Sequence, residues 1–147
     1  MHLHVYSIAM VKDVPCVAQT LRAAARMITR KYEEALRPVC LTSSQYTILH
    51  ALNSFQAVGP TELGEALAFE QTTATRLLAK LETQGLITFV PHAKDARRRL
   101  ATLTELGRER YAEAVPLWQN VQDNTLSNAT PEEWQALRNA LKQISQS

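Results

Sequence analysis

Residues 94–104 read KDARRRLATLT, with consecutive arginines set immediately before a run that alternates Leu100, Thr102 and Thr104 against Ala101 and Leu103. A charge run by itself is usually a solvated face. The alternation, however, has the period of a strand, and the preceding LITFV at 86–90 is β-branched, aromatic and too short for a stable helix. The two pieces are predicted to pair as a hairpin with PHAKDARR at its tip. Lys94, Arg97 and Arg98 then project from the turn, and Arg99 opens the return strand.

Upstream, apolar residues recur at helical spacing from about Val14 to Leu36, and Pro38 ends that helix. LTSSQYTILHAL follows: Thr42 with Gln45 three residues on is a capping-box pattern, starting a second helix at Ser43 that stops near Asn53. In VGPTELGEALAF, Gly59 suits an N-cap, Pro60 the first helical position and Glu62 the acid-favouring first turn. EQTTATRLLAKLETQG forms the next helix, with Leu77, Leu78 and Leu81 inside and Gly85 as its stop. Its other face is Gln71, Thr72, Thr75, Arg76 and Lys80.

Downstream of the hairpin, Thr104 caps a long helix carrying Tyr111, Ala114, Val115 and Trp118, which Pro116 should kink rather than end. A second capping box, Thr130 with Glu133, opens the last helix, whose apolar residues are Trp134, Leu137, Leu141 and Ile144. The helices at the two sequence ends carry apolar faces that a small central domain would not fully bury, so they must meet each other or a partner.

The totals bound the function classes. The chain has 147 residues, 46% of them hydrophobic, which supplies a core for one domain with an interaction arm. Net charge is only +2, so any basic surface has to come from clustering. There is no membrane-length apolar run and no signal-peptide pattern, so the expected location is cytoplasmic. Cys16 and Cys40 lack CxxC spacing, and His2, His4, His50 and His92 are scattered, with no HExxH, phosphate loop or GxSxG. No enzyme activity, cofactor or metal is expected; His2 and His4 offer at most a weak metal contact at the terminus.

Two short helices, then a helix with a small polar face, then a hairpin make a winged helix-turn-helix, whose second helix enters the DNA major groove. The groove is about 12 Å wide and admits a helix of about 10–12 Å diameter. The hairpin tip then reaches the neighbouring minor groove, where arginine suits the negative potential.

From about Val14 onward the chain resembles the MarR-type transcriptional regulators. The resemblance rests on LLAKLETQGLI and on the wing pattern Asp95-x-Arg97-x-x-Leu100-x-x-Leu103-Thr104, with LTSSQYTILHAL and TELGEAL in support. It implies a mainly α winged helix-turn-helix with N- and C-terminal dimerisation helices: an arm and first helix in 1–40, a DNA-binding lobe in 41–104 and dimerisation helices in 105–147. It implies a homodimer binding a pseudo-palindromic double-stranded operator. Gln71, Thr72, Thr73, Thr75 and Arg76 would occupy the recognition helix, beside Lys80. Arg97 would insert in the minor groove and Asp95 would orient it; Arg98 and Arg99 exceed the minimum pattern and are assigned phosphate contacts, and Lys94 completes the DNA-binding set of the wing. Asp95 can equally be a turn former.

The regulatory reading is a repressor rather than an activator, because the compact chain shows no added segment to recruit polymerase. Relatives of this kind respond to small aromatic compounds, and Tyr46, His50, Phe55 and Tyr111 are candidate cavity residues, though plain core explains them too. Cys16 keeps two readings, a buried structural thiol or an organic-peroxide sensor with Tyr32 as a donor. At Cys40, where the resemblance expects glycine, a left-handed backbone would be strained, so a different turn is expected. A winged-helix module that binds protein is the remaining alternative, but its mark, an apolar or acidic recognition helix, is absent.

Overall fold

The computed structural model describes residues 16–146; Val14 and the histidine pair His2 and His4 lie outside them. Helix α1 (Val17–Leu36) leads through a 3-10 turn at Arg37–Val39 into α2 (Ser43–Phe55). A short strand β1 (Ala57–Val58) precedes α3 (Pro60–Ala66) and α4 (Gln71–Thr83). Strands β2 (Ile87–Pro91) and β3 (Arg99–Leu103) form the hairpin, followed by α5 (Glu105–Leu126) and α6 (Pro131–Gln146).

The helix boundaries follow local chemistry. The Thr42 side chain accepts from the Gln45 N–H at 3.1 Å, and Gln45 Oε1 accepts from the Thr42 N–H at 3.0 Å, completing the capping box. Thr130 and Glu133 repeat the arrangement at α6, and the Thr104 hydroxyl accepts from the Gly107 N–H at 2.9 Å. Gly85 closes α4 with φ 74°, its N–H bonding the Glu82 carbonyl while the Leu86 N–H bonds that of Leu81. Pro116 stands inside α5, which continues past it.

Two turns depart from expectation. Cys40 does adopt the left-handed conformation, with φ 56° and ψ 37°, where another turn was expected. Its N–H bonds the Arg37 carbonyl and the Leu41 N–H that of Leu36, so buried Leu36 and Leu41 fix the turn from either side. Helix α2 runs on to Phe55, and Gln56 at φ 68° then turns the chain into β1.

The sheet order is β1-β3-β2, antiparallel throughout, with Ala57 opposite Thr102 and Phe89 opposite Ala101. Ile48, Leu49, Leu52, Leu63, Leu78, Leu81 and Leu86 are essentially fully buried between the helices and this sheet. Each such side chain contributes about 1.5–3 kcal/mol by leaving water. Against this core α5 makes a close approach: a methyl at Gly107 would overlap the Leu86 carbonyl.

The outer helices are different. On α1 only Leu36 is buried, and Val17, Leu21, Met27 and Ile28 are exposed, Met27 by 68%. No residue of α6 is buried, and Leu137 and Ile144 face outward. No described helix is long and apolar enough to cross a membrane.

Candidate nucleic-acid interface

Helix α4 sorts its residues by burial. Ala74, Leu78 and Leu81 point into the core, while Gln71, Thr72, Thr75, Arg76 and Lys80 are exposed. Thr72, Arg76 and Lys80 follow each other at four-residue spacing and so form one stripe, with Thr75 beside it. The Thr75 hydroxyl donates to the Gln71 carbonyl at 2.9 Å, which leaves its oxygen lone pairs and methyl group for an outside partner. Thr73 is half-buried on the side of Leu77, so it stands apart from this stripe. The position of α4 is set by α3: a methyl at Gly64 would lie 3.4 Å from the Ala74 Cβ, an approach open to two small residues.

The hairpin tip is ordered by its own backbone. The His92 N–H bonds the Arg98 carbonyl at 2.8 Å, and the Arg98 N–H bonds the Asp95 carbonyl at 3.0 Å. The Asp95 carboxylate accepts from the Arg97 N–H at 3.1 Å, and His92 Nδ1 accepts from the Lys94 N–H at 3.1 Å. Asp95 thus fixes Arg97 through the main chain as a turn former, rather than by gripping its guanidinium.

The three arginines have different surroundings. Arg98 pairs with Glu62 on α3, both side chains half exposed. The Arg99 guanidinium lies 4.8 Å from the ring centroid of Phe89 on the neighbouring strand. Arg97 and Lys94 are exposed and form no ion pair with any described residue. Two of the arginines expected at phosphate are therefore held by protein groups in this structure.

An aromatic cluster joins α1, α2 and α5. Tyr46 stacks on His50, Tyr111 and Trp118, with centroids 5.5–6.1 Å apart, and Tyr32 of α1 stacks on Trp118 at 6.1 Å. Burial raises the phenol pKa values of Tyr32 and Tyr46, the latter also through Tyr111. Tyr46, His50 and Tyr111 do come together, but Phe55 is 67% exposed and stands apart. A cavity of about 400 Å³ opens beside Trp118, lined also by Ile28, Thr29, Tyr32 and Thr47. Ile28, Thr29 and Thr47 were not expected to line a cavity; the four-residue spacing of Ile28 and Tyr32 on one face of α1 was the available signal.

Within the single chain Cys16 is exposed, at the N-cap of α1. Tyr32 lies sixteen positions along the same helix, roughly 24 Å at 1.5 Å per residue. Its hydroxyl donates to Gln122 Oε1, so within one chain it is no donor to that thiol.

Residues 41–98 match the family model described as MarR family. The chain is 31% identical over 121 residues to the organic hydroperoxide resistance transcriptional regulator of Bacillus subtilis (strain 168), covering 82% of this chain and 81% of that protein. The solved structure of M. tuberculosis MosR in complex with DNA superposes with a TM-score of 0.78 and 34% identity, covering 89% of this chain and 94% of that one. A structure of Bordetella bronchiseptica BpsR, concerned with regulation of its DNA binding by 6-hydroxynicotinic acid, gives a TM-score of 0.82 and 25% identity over 92% of this chain and 96% of that one.

Proposed function

The chain belongs to the MarR family of DNA-binding transcriptional regulators, and from that premise we propose that it is a cytoplasmic homodimeric repressor that reads a pseudo-palindromic operator and is released by a small aromatic ligand. The observation that carries the DNA reading is the pairing of α4, whose outward face is Gln71, Thr72, Thr75, Arg76 and Lys80, with a wing whose Lys94 and Arg97 are exposed cations without an ion-pair partner among the described residues. Helix α4 lies in the major groove, where threonine and arginine reach base edges and Lys80 meets phosphate. Arg97 enters the minor groove. Anisotropy of a labelled operator duplex, compared for wild type, Arg76→Ala and Arg97→Ala, tests it; unchanged affinity in both variants contradicts this assignment.

The dimer uses the N-terminal helix (residues up to about 40) and the helices after residue 104, leaving residues 41–104 as the DNA-binding lobe. The exposed apolar residues of α1 and α6 support this division. Ligand binding beside Trp118, where α1, α2 and α5 meet, would change the spacing of the two lobes and spoil their match to half-sites about one helical turn apart.

One comparison favours a second reading, release by oxidation of Cys16: the B. subtilis relative carries organic hydroperoxide resistance in its name, and the thiol here is exposed. Cys16→Ser decides it. Loss of hydroperoxide-induced release from DNA, with affinity retained, supports the thiol reading; unchanged release removes it.

A further inference from the structure

The ion pair between Arg98 and Glu62 joins the wing to the first turn of α3 across 36 positions of sequence. Its acid is given room by its neighbour. Gly59, the N-cap of α3, has φ −67°, which any residue can adopt, yet a methyl there would overlap Glu62 Oε2. The space left by that missing side chain is where the carboxylate sits.

Resting on the DNA-binding reading above, we propose that Glu62 is a positioning residue for the wing: it holds Arg98 as a tether to α3, so that Arg97 alone of the three arginines is presented to DNA. The chemistry divides the run into three tasks. Arg97 is pinned through its backbone, and its guanidinium forms no ion pair with a described residue. Arg98 is neutralised by a carboxylate, so it adds little positive charge to the surface. Arg99 lies over Phe89 and braces the hairpin. Because α3 also carries α4 through the Gly64–Ala74 approach, the tether fixes the wing relative to the recognition helix.

The alternative role for Arg98, a phosphate contact, gives opposite results in the same experiment. Wild type, Glu62→Gln, Arg98→Ala, the double variant and the exchanged pair Glu62→Arg/Arg98→Glu are titrated, across a salt series, onto a labelled duplex that the wild type retains from a random-sequence library. A tether is expected to make both single variants weaker by about two- to fivefold, to make the double variant no weaker than either, and to leave the salt slope unchanged. The exchanged pair should recover most of the loss, and Gly59→Ala should weaken binding in the same direction as Glu62→Gln.

A phosphate contact would instead lower the magnitude of the salt slope by about 0.9 in Arg98→Ala, tighten binding in Glu62→Gln and leave the exchanged pair weakest; that pattern overturns the tether. Hydrogen exchange of the wing amides in the free protein separates this proposal from the DNA reading. Faster exchange at residues 92–99 in Glu62→Gln and Arg98→Ala supports the tether even if no duplex is selected, and wild-type exchange in both variants overturns it.

Discussion

The Tyr111 hydroxyl lies 2.8 Å from Nδ1 of His50, so one hydrogen bond ties α5 to α2 within the aromatic cluster. Helix α2 packs in the lobe that carries α4, and α5 runs alongside α1. This bond therefore crosses from the proposed DNA-binding lobe to the proposed dimer scaffold. Tyr111→Phe keeps the ring stacking and removes only the hydroxyl, so a loss of about 0.5–1.5 kcal/mol is expected. Urea unfolding measures it, and operator release by an aromatic acid should shift in the same variant if the cluster links ligand to lobe spacing.

Tyr46 gives a pH dependence of defined sign. It is 4% exposed, and burial first, then Tyr111, raises its phenol above the ordinary value of about 10. Between the ordinary and the raised value the unfolded chain loses a proton that the folded chain keeps. Stability is thus fully present below about pH 10 and falls as pH rises beyond it. Urea midpoints measured through this range should fall in wild type and fall less in Tyr46→Phe.

Gly107 is the glycine that approaches neighbouring backbone most closely. A methyl there overlaps the Leu86 carbonyl and also comes 3.4 Å from Leu103 Cδ2, and because the Gly107 N–H and the Leu86 carbonyl are both bonded to Thr104, neither of those two backbones can retreat without disturbing the cap. Gly107→Ala is expected to cost about 1–3 kcal/mol despite its better helix propensity. A thermal melt at or above the wild-type temperature would contradict this packing.

At the proposed interface, Arg97→Ala should cost about 1–3 kcal/mol of operator affinity and weaken discrimination among minor-groove sequences. Lys80→Ala should weaken all duplexes alike and lower the salt slope by about 0.9. Anisotropy on a selected duplex and on single-base variants separates these two signatures.

The elements that were legible in the sequence are those whose signal is local. Thr42 with Gln45, Thr130 with Glu133, and Gly85 after Leu81 each carry their hydrogen-bond logic within a few residues, and each forms as read. Strand β1 was not legible, because Ala57 and Val58 are too short to show a period and pair only with β3, more than forty positions away. Cys40 was misjudged because its left-handed turn is held by the burial of Leu36 and Leu41, a tertiary effect that outweighs the local preference for glycine. The arginine run was located correctly, with Arg99 opening β3, but the partners of Arg98 and Arg99 come from α3 and β2 and have no trace in the local pattern. Phe55 stands apart from Tyr46, His50 and Tyr111 because α2 carries it past the aromatic cluster to the surface, where it lines a separate hollow with Ala57, Val58 and Leu63.

The most direct test of the account is to sequence the duplexes that the wild-type protein retains from a random-sequence library. The expected result is enrichment of a pseudo-palindrome with half-sites about 10 bp apart, bound with an affinity that falls steeply with salt. Retention without sequence enrichment, or enrichment of a lone half-site, would contradict a dimer that reads DNA through α4 and the Arg97 wing.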